Sequence, residues 1–372
     1  MIKKLASIAA LLAAFLTPAL AQENKGIKFT EASVSELLKM AEKENKLVFI
    51  DCYTSWCGPC KKMARDLFPQ PQVGEFMNAN FINAKIDMEK GEGPELGKKY
   101  NVQGYPTLLI LNSKGEELHR LVGGQKADEF IDKIKEGMGE NSLGKMKQAY
   151  DNGNRKPEFL LQYLNKLVDA YNPDYKKVLN EYWNCLDDKQ RQSMEGWNLI
   201  KRFGGDPNSP LFQYLLNNRA AFIALTDTKT VNGKIKMTYN VILDNTLTEV
   251  VYNRMKFDQK FFDDYKAIIQ KESYEGKEVE LGLIELSYAY NNADISYAFK
   301  VYKDYFSAES CDLKIRRMLF VNAISCHRGN VDDWKRTKTF VEEQIKACQW
   351  GTQEGTVAHQ VLSYLDKKIS EK

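Results

Sequence analysis

Leu47-Val48-Phe49-Ile50-Asp51-Cys52-Tyr53-Thr54-Ser55-Trp56-Cys57-Gly58-Pro59-Cys60 packs a strand, a turn and the start of a helix into one short stretch. Leu47 to Ile50 is a continuous apolar run, the pattern of a strand covered on both faces. A helix starts at or just after Cys57, and Pro59 fits its first turn, where a missing N–H leaves no intrahelical bond unmade. Two cysteines separated by two residues at such a junction can close a small disulfide ring. The unpaired amides and positive dipole end of the helix favour a thiolate at Cys57 and lower its pKa. Cys57 is also expected to be the exposed thiol of the two. Cys60, one turn further in, is placed to attack a mixed disulfide and release the product.

Outward from this stretch the pattern keeps changing type. Ile27-Lys28-Phe29 reads as a short strand, and Ser33 to Glu44 as a helix with Leu37, Leu38 and Ala41 on one face and Ser33 or Ser35 as cap. Phe81 to Asp87 is a further strand, Pro94 to Tyr100 a short helix and Thr107 to Leu111 another strand. Asn112 to Gly115 forms a turn, Glu117 to Val122 returns as a hairpin partner, and Asp128 to Lys135 closes as an amphipathic helix. The order β-α-β-α-β-α-β-β-α defines an α/β sandwich. From Lys145 onward strand signals are scarce, and helical patterns rich in tyrosine recur, including Phe159 to Ala170, Tyr175 to Leu186, Phe261 to Lys271, Leu281 to Tyr290, Arg317 to Cys326 and Val331 to Cys348. These imply an all-α domain of antiparallel helices, possible irregular hairpins without a fixed repeat. The expected divisions are 1–21, 22–140 for the sandwich and 141–372 for the helical domain.

The first of these divisions sets the compartment. Lys3 and Lys4 precede an apolar run from Leu5 to Leu16, then Thr17, Pro18 and the small-residue pattern Ala19-Leu20-Ala21, which together read as a secretory signal peptide cleaved before Gln22. The run is shorter than the roughly 20 residues of a spanning helix, and Gln22 cannot carry the lipid of a lipoprotein. An exported, periplasmic or extracytoplasmic protein without stable membrane insertion is expected. Lys and Arg number 53 against 50 Asp and Glu, two of the basic residues lying in the signal, so no long-range field selects nucleic acid or anionic lipid. Seven cysteines are too few for a disulfide scaffold, and their odd number leaves at least one thiol free or paired between chains.

At Trp56-Cys57-Gly58-Pro59-Cys60 the chain resembles the thioredoxin family, and the resemblance extends over residues 28–138. Asp51, six residues before Cys57, matches the family's buried acid, which assists proton transfer to and from the second cysteine, and Lys85 occupies about the position of the lysine paired with it. Burial beneath the motif and a pKa raised by desolvation are therefore expected of Asp51; an ordinary ion pair with Lys85 is the alternative. Tyr105-Pro106-Thr107 matches the loop whose cis-proline faces the cysteines and lines the substrate groove. Gly123-Gly124 matches a glycine near that groove. With Trp56, Gly58 and Pro59, the residues Tyr105, Pro106, Thr107 and Gly123 form the substrate-binding set the resemblance implies, although Trp56 has the alternative of covering the motif by packing alone. Glu44-Asn45-Lys46 and Asp87 to Gly93 are similar to exported bacterial thioredoxin-like proteins, including the C-terminal domain of the membrane reductant conductor DsbD. A conductor of that kind is the implied electron donor. Gly-Pro between the cysteines resembles reducing members rather than strong oxidants, which commonly carry Pro-His. The implied activity is cofactor-free reduction or isomerisation of disulfides in client proteins. The alternative is an adaptor whose helical domain recognises a partner while the thioredoxin domain serves as platform.

Other cysteines and aromatics have plainer readings. A zinc half-site is disfavoured because no second cysteine pair stands at ligand spacing and His119, His327 and His359 are scattered. Cys52, next to Asp51 on a strand, faces the opposite side and reads as a buried, inert thiol. Tyr288, Tyr290, Tyr297, Tyr302 and Tyr305 read as core residues with hydroxyls at the rim. Leu313 to Cys326 and Val331 to Cys348 are joined by Arg328-Gly329-Asn330, a turn short enough to make them antiparallel. Cys311 and Cys348 are equally far from that turn and meet at the open end, unless helix phase turns one of them away.

Overall fold

The computed structural model describes residues 26–348 and 352–372; the expected signal segment, 1–21, lies outside the described residues. Two compact units divide the chain, the second beginning at Asp187.

In the first unit Ser33 caps helix α1 (Val34–Glu44): its hydroxyl accepts the Glu36 amide, and the Glu36 carboxylate accepts the Ser33 amide. Strand β1 (Leu47–Tyr53) follows, then helices α2 (Gly58–Asp66) and α3 (Pro71–Asn80), strand β2 (Phe81–Asp87), helix α4 (Gly93–Lys99), strands β3 (Thr107–Leu111) and β4 (Glu117–Val122), and helix α5 (Ala127–Met138). The sheet order is β2-β1-β3-β4, with β1 parallel to β2 and antiparallel to β3, and β4 antiparallel to β3. Because β1 is central, alternation sends its residues into two cores. Phe49 packs with Met63, Phe81, Leu108 and Phe130 on one side, while Val48, Ile50 and Cys52 pack with Leu37, Ala41 and Leu109 on the other. This is the α/β sandwich expected from the sequence.

Two local expectations are corrected. Ile27 to Phe29 is not a strand: Phe29 makes a single parallel bridge to Asn83, and the Ile27 amide bonds the Phe68 carbonyl instead of extending the ladder. Helix α3 is absent from the order read from the sequence; Pro69, Pro71 and Gly74 punctuate the stretch and Gln70 supplies no side-chain cap. Pro71 sits in the first turn, where no amide is needed, and Val73 and Met77, one turn apart, bury the helix against the sheet.

Three helices after the sandwich belong to the same unit: α6 (Leu143–Asp151), α7 (Pro157–Asp169) and α8 (Tyr175–Cys185). Lys166 of α7 pairs with Glu136 of α5, and the Tyr150 hydroxyl of α6 donates to Glu181 of α8.

Among the described residues the second unit is all helical: α9 (Asp188–Arg191), α10 (Met194–Phe203), α11 (Pro210–Asn217), α12 (Arg219–Leu225), α13 (Thr228–Val251), α14 (Gln259–Lys271), α15 (Glu278–Asn291), α16 (Ile295–Tyr305), α17 (Cys311–Arg328), α18 (Val331–Ala347) and α19 (Thr352–Ser370). Tyr290 and Tyr302 are buried with their hydroxyls on Asn253 and the Lys314 carbonyl, and Tyr288 and Tyr297 donate to Asp263 and Glu285. The core reading holds for the rings of Tyr290 and Tyr302, whereas Tyr288, Tyr297 and Tyr305 are only partly buried. Arg317 is buried between Asp244 of α13 and Glu309 of the loop before α17, so its charge is matched by two carboxylates. No described helix is long and apolar enough to cross a membrane.

At the open end of the α17–α18 hairpin a disulfide joins Cys311 and Cys348, their Cα atoms 6.0 Å apart. We propose it as a structural staple. It closes a loop of 37 residues, for which chain entropy gives about 2–4 kcal/mol. Non-reducing peptide mapping should recover the Cys311–Cys348 pair, and Cys311→Ser should lower unfolding stability by that amount; free thiols at both positions in the unreduced protein would contradict it.

Candidate active site

The register of the sheet gathers the site at one end. Cys52 of β1 stands opposite Thr107 at the start of β3, and Thr107 opposite Val122 at the end of β4. The segment leaving β1, the segment entering β3 and the segment leaving β4 therefore emerge side by side, carrying respectively Trp56 to Cys60, Tyr105-Pro106 and Gly123-Gly124.

On the first of these segments the Cys57 amide donates to the Thr54 carbonyl (3.2 Å), which closes the turn, and Cys57 then occupies the N-cap of α2 in extended conformation. Its Sγ accepts the Cys60 amide at 3.1 Å. The sulfur thus sits where a capping oxygen would, among the unpaired amides of the first turn, a position that stabilises negative charge. Cys57 and Cys60 are joined in a disulfide with Cα atoms 5.3 Å apart. The expected contrast in exposure is corrected: Cys57 is 3% and Cys60 5% exposed. In the closed ring the Cys57 sulfur lies over the first turn, on the Cys60 amide. Gly58 and Pro59, between them, remain exposed.

The second segment holds a cis Tyr105–Pro106 bond, and the Thr107 hydroxyl donates to the Gly104 carbonyl (2.8 Å). The third is fastened to it, since the Gly123 amide donates to the Pro106 carbonyl at 2.8 Å. Gly123 has φ 86°, a left-handed conformation that favours glycine. Gly124 is the glycine that approaches the motif: a Cβ there would stand 3.4 Å from the Pro59 Cβ, whereas one on Gly123 would meet nothing. Only the adjacent Gly-Gly pair hinted at this in the sequence.

Trp56 is 65% exposed, so it does not cover the motif as a packing residue. Its indole N–H donates to Glu89 (2.9 Å) and its ring meets Tyr105 edge-on at 5.9 Å. Glu89, whose amide bonds the Asp87 carboxylate, is a site neighbour that the sequence reading missed; its one signal was its place in the acidic loop after β2.

Beneath the motif, Asp51 and Lys85 stand opposite each other on β1 and β2, with Lys85 Nζ 3.8 Å from Asp51 Oδ2. Asp51 shares the sheet face of Phe49, the face covered by Met63 of α2. It is 1% exposed, and neither carboxylate oxygen accepts a hydrogen bond from the described protein. Burial pushes its carboxyl from the ordinary 3.8 up to about 7, with the Lys85 ammonium opposing the rise. Cys52 points to the other face, fully buried, and burial raises its thiol far from reactive range. The structure therefore brings the expected residues into two layers: Trp56, Cys57, Gly58, Pro59, Cys60, Tyr105, Pro106, Thr107 and Gly123 at the sheet end, with Asp51 and Lys85 below.

A sheet of this order with a cysteine pair at the start of a helix defines a thioredoxin-like protein. Residues 34–137 match the model of the thioredoxin-like domain family. A thioredoxin-like protein of Synechocystis sp. is 34% identical over 108 residues, which are 29% of this chain and 94% of that relative. The thiol:disulfide interchange protein DsbD of Haemophilus influenzae is 30% identical over 123 residues, which are 31% of this chain but 21% of DsbD. Among solved structures, a proposed disulphide-isomerase from Bacteroides thetaiotaomicron is 53% identical, covering 30% of this chain and 93% of that one with a TM-score of 0.29. The chain belongs to the thioredoxin-like family, and its extra length is the helical region after the sandwich.

The raised carboxyl of Asp51 carries a stability consequence. The unfolded chain releases this proton near pH 4, the folded protein only near pH 7, so the fold loses stability as pH rises between them. Asp51→Asn stays uncharged and escapes that loss. The stability of the variant minus that of wild type should grow by on the order of 3 kcal/mol from about pH 4 to about pH 8. Denaturant curves across that range check it, and a pH-independent difference would show that Asp51 ionises as an ordinary carboxyl.

Proposed function

We propose that this protein is an exported thiol–disulfide oxidoreductase that reduces or isomerises disulfides of client proteins through Cys57 and Cys60. The observation that carries the reading is the position of the Cys57 sulfur on the Cys60 amide at the N-cap of α2, inside a thioredoxin-like domain whose relatives include DsbD and protein disulfide-isomerases. The Cys57 thiolate attacks one sulfur of a client disulfide; a mixed disulfide forms, and the other client sulfur leaves as thiolate. Cys60 gives up its proton and attacks the Cys57 sulfur, which breaks the mixed bond, releases the second client thiolate and leaves the Cys57–Cys60 disulfide. Two electrons pass to the client, and a dithiol donor restores the pair by the reverse exchange. Asp51 takes the Cys60 proton, a role suited to a carboxyl that titrates near neutral pH, and Lys85 steadies its charged form.

Trp56, Gly58, Pro59, Tyr105, Pro106, Thr107 and Gly123 form the surface that receives the client in this reading, and Gly124 joins them by its approach to Pro59. The donor is a membrane reductant conductor of the DsbD kind, residues 1–21 direct export, residues 22–140 carry the chemistry, and residues 141–372 select or orient clients. Wild-type protein should reduce insulin disulfides in the presence of a dithiol, and Cys57→Ser should abolish the reaction. Cys60→Ala should accumulate mixed disulfides through Cys57. Undiminished reduction by Cys57→Ser, or trapping by Cys57→Ala instead, would overturn the assignment.

A further inference from the structure

Lysine carries a flexible stem, and an exposed ammonium ordinarily trades its partners for water. Lys85 is not free in that way. Its side chain is 29% exposed, and its Nζ lies 5.0 Å from the ring centre of Tyr53, 5.5 Å from that of Phe29 and 5.8 Å from that of Phe68. All three distances fall within cation–π range. Among the described residues Nζ makes no hydrogen bond to protein, so the rings and the Asp51 carboxylate are what hold it. The rings come from three places. Tyr53 lies two residues after Asp51 on the same face of β1, and Phe29 is tied by its bridge to Asn83, two residues before Lys85. Phe68 lies just past the Leu67 C-cap of α2, the helix that begins at the cysteine pair; its amide bonds the Met63 carbonyl, its carbonyl accepts the Ile27 amide, and its ring meets Phe29 edge-on at 5.4 Å.

We propose that Phe29, Tyr53 and Phe68 are positioning residues whose rings cradle the Lys85 ammonium and fix it beside the Asp51 carboxylate. Lys85 from β2 is the charged group that acts on Asp51; β3 sets apolar Leu108 opposite it, and α2 buries Cys60 and Met63 on that side of the sheet. With a single cation opposing the effect of burial, the place of that cation decides how readily Asp51 holds a negative charge. The proposal rests on the oxidoreductase reading for its use, because Asp51 there serves Cys60, but its physical content is independent of turnover.

Carboxyl carbon NMR of the oxidised full-length chain, with the Asp51 signal assigned by its loss in Asp51→Asn, tests it. Phe29→Leu and Tyr53→Leu keep apolar bulk and remove a ring. Each should move the Asp51 titration midpoint upward by about half a pH unit, in the direction of Lys85→Met, while Tyr53→Phe restores the wild-type midpoint. In the Lys85→Met background the ring substitutions should have no further effect. Ring variants that titrate like wild type, equal shifts in the Lys85→Met background, or a Lys85→Met midpoint that does not move would each overturn the proposal. Failure of insulin reduction with these shifts intact would instead count against the oxidoreductase reading alone.

Discussion

A sulfur atom stands where helices commonly place a serine or aspartate oxygen. Cys57 caps α2, and its Sγ accepts the amide of the very residue whose thiol completes the redox pair. This one contact joins local structure to chemistry: the first turn needs an acceptor for its unpaired amides, and a thiolate meets that need better than a thiol. The cap therefore favours the nucleophilic state. Pro59 reinforces the geometry by occupying the first turn without an amide to satisfy.

The sandwich holds that cap in place and supplies its surroundings. Central β1 is buried on both faces, and its register with β3, and that of β3 with β4, delivers three loops to one end of the sheet. The Gly123 amide on the Pro106 carbonyl locks two of these loops together, and the close approach of Gly124 to Pro59 sets the third beside them. Below, burial and a single ammonium act in opposite directions on Asp51 and leave it titrating near neutrality. The polar layer under the motif destabilises the fold in the charged state.

Much of this was legible in the sequence because it is local. The apolar run before Asp51 and the proline in the first turn identify strand and helix start without tertiary information, and Asp51 enters as the acid through the resemblance of its place, six residues before Cys57, to the thioredoxin family. The alternation that separates Asp51 from Cys52 follows from the pleat. What was not legible depends on distant partners. Helix α3 lacks a side-chain cap and is punctuated by Pro71 and Gly74, and only burial of Val73 and Met77 against the sheet decides it. Ile27 to Phe29 has strand composition, yet the carbonyl of Phe68 takes the Ile27 amide. The low exposure of Cys57 depends on what packs around the helix start, Glu89 reaches Trp56 across a loop, and the choice between Gly123 and Gly124 turns on an approach of a few ångströms. In the helical unit, tyrosine spacing pointed to the core at Tyr290 and Tyr302, but hydroxyl partners such as Asp263 of α14 and Asn253 in the turn after α13 are distant in sequence.

The central claim is that the N-cap position of Cys57 makes its thiol the acidic one, and the reduced protein tests it without a client. The rate of Cys57 alkylation by iodoacetamide, followed against pH in Cys60→Ala with Cys57→Ala as background, reports the thiolate fraction. The cap predicts a midpoint below the roughly 8.5 of a free cysteine. A midpoint at or above 8.5 would contradict the account.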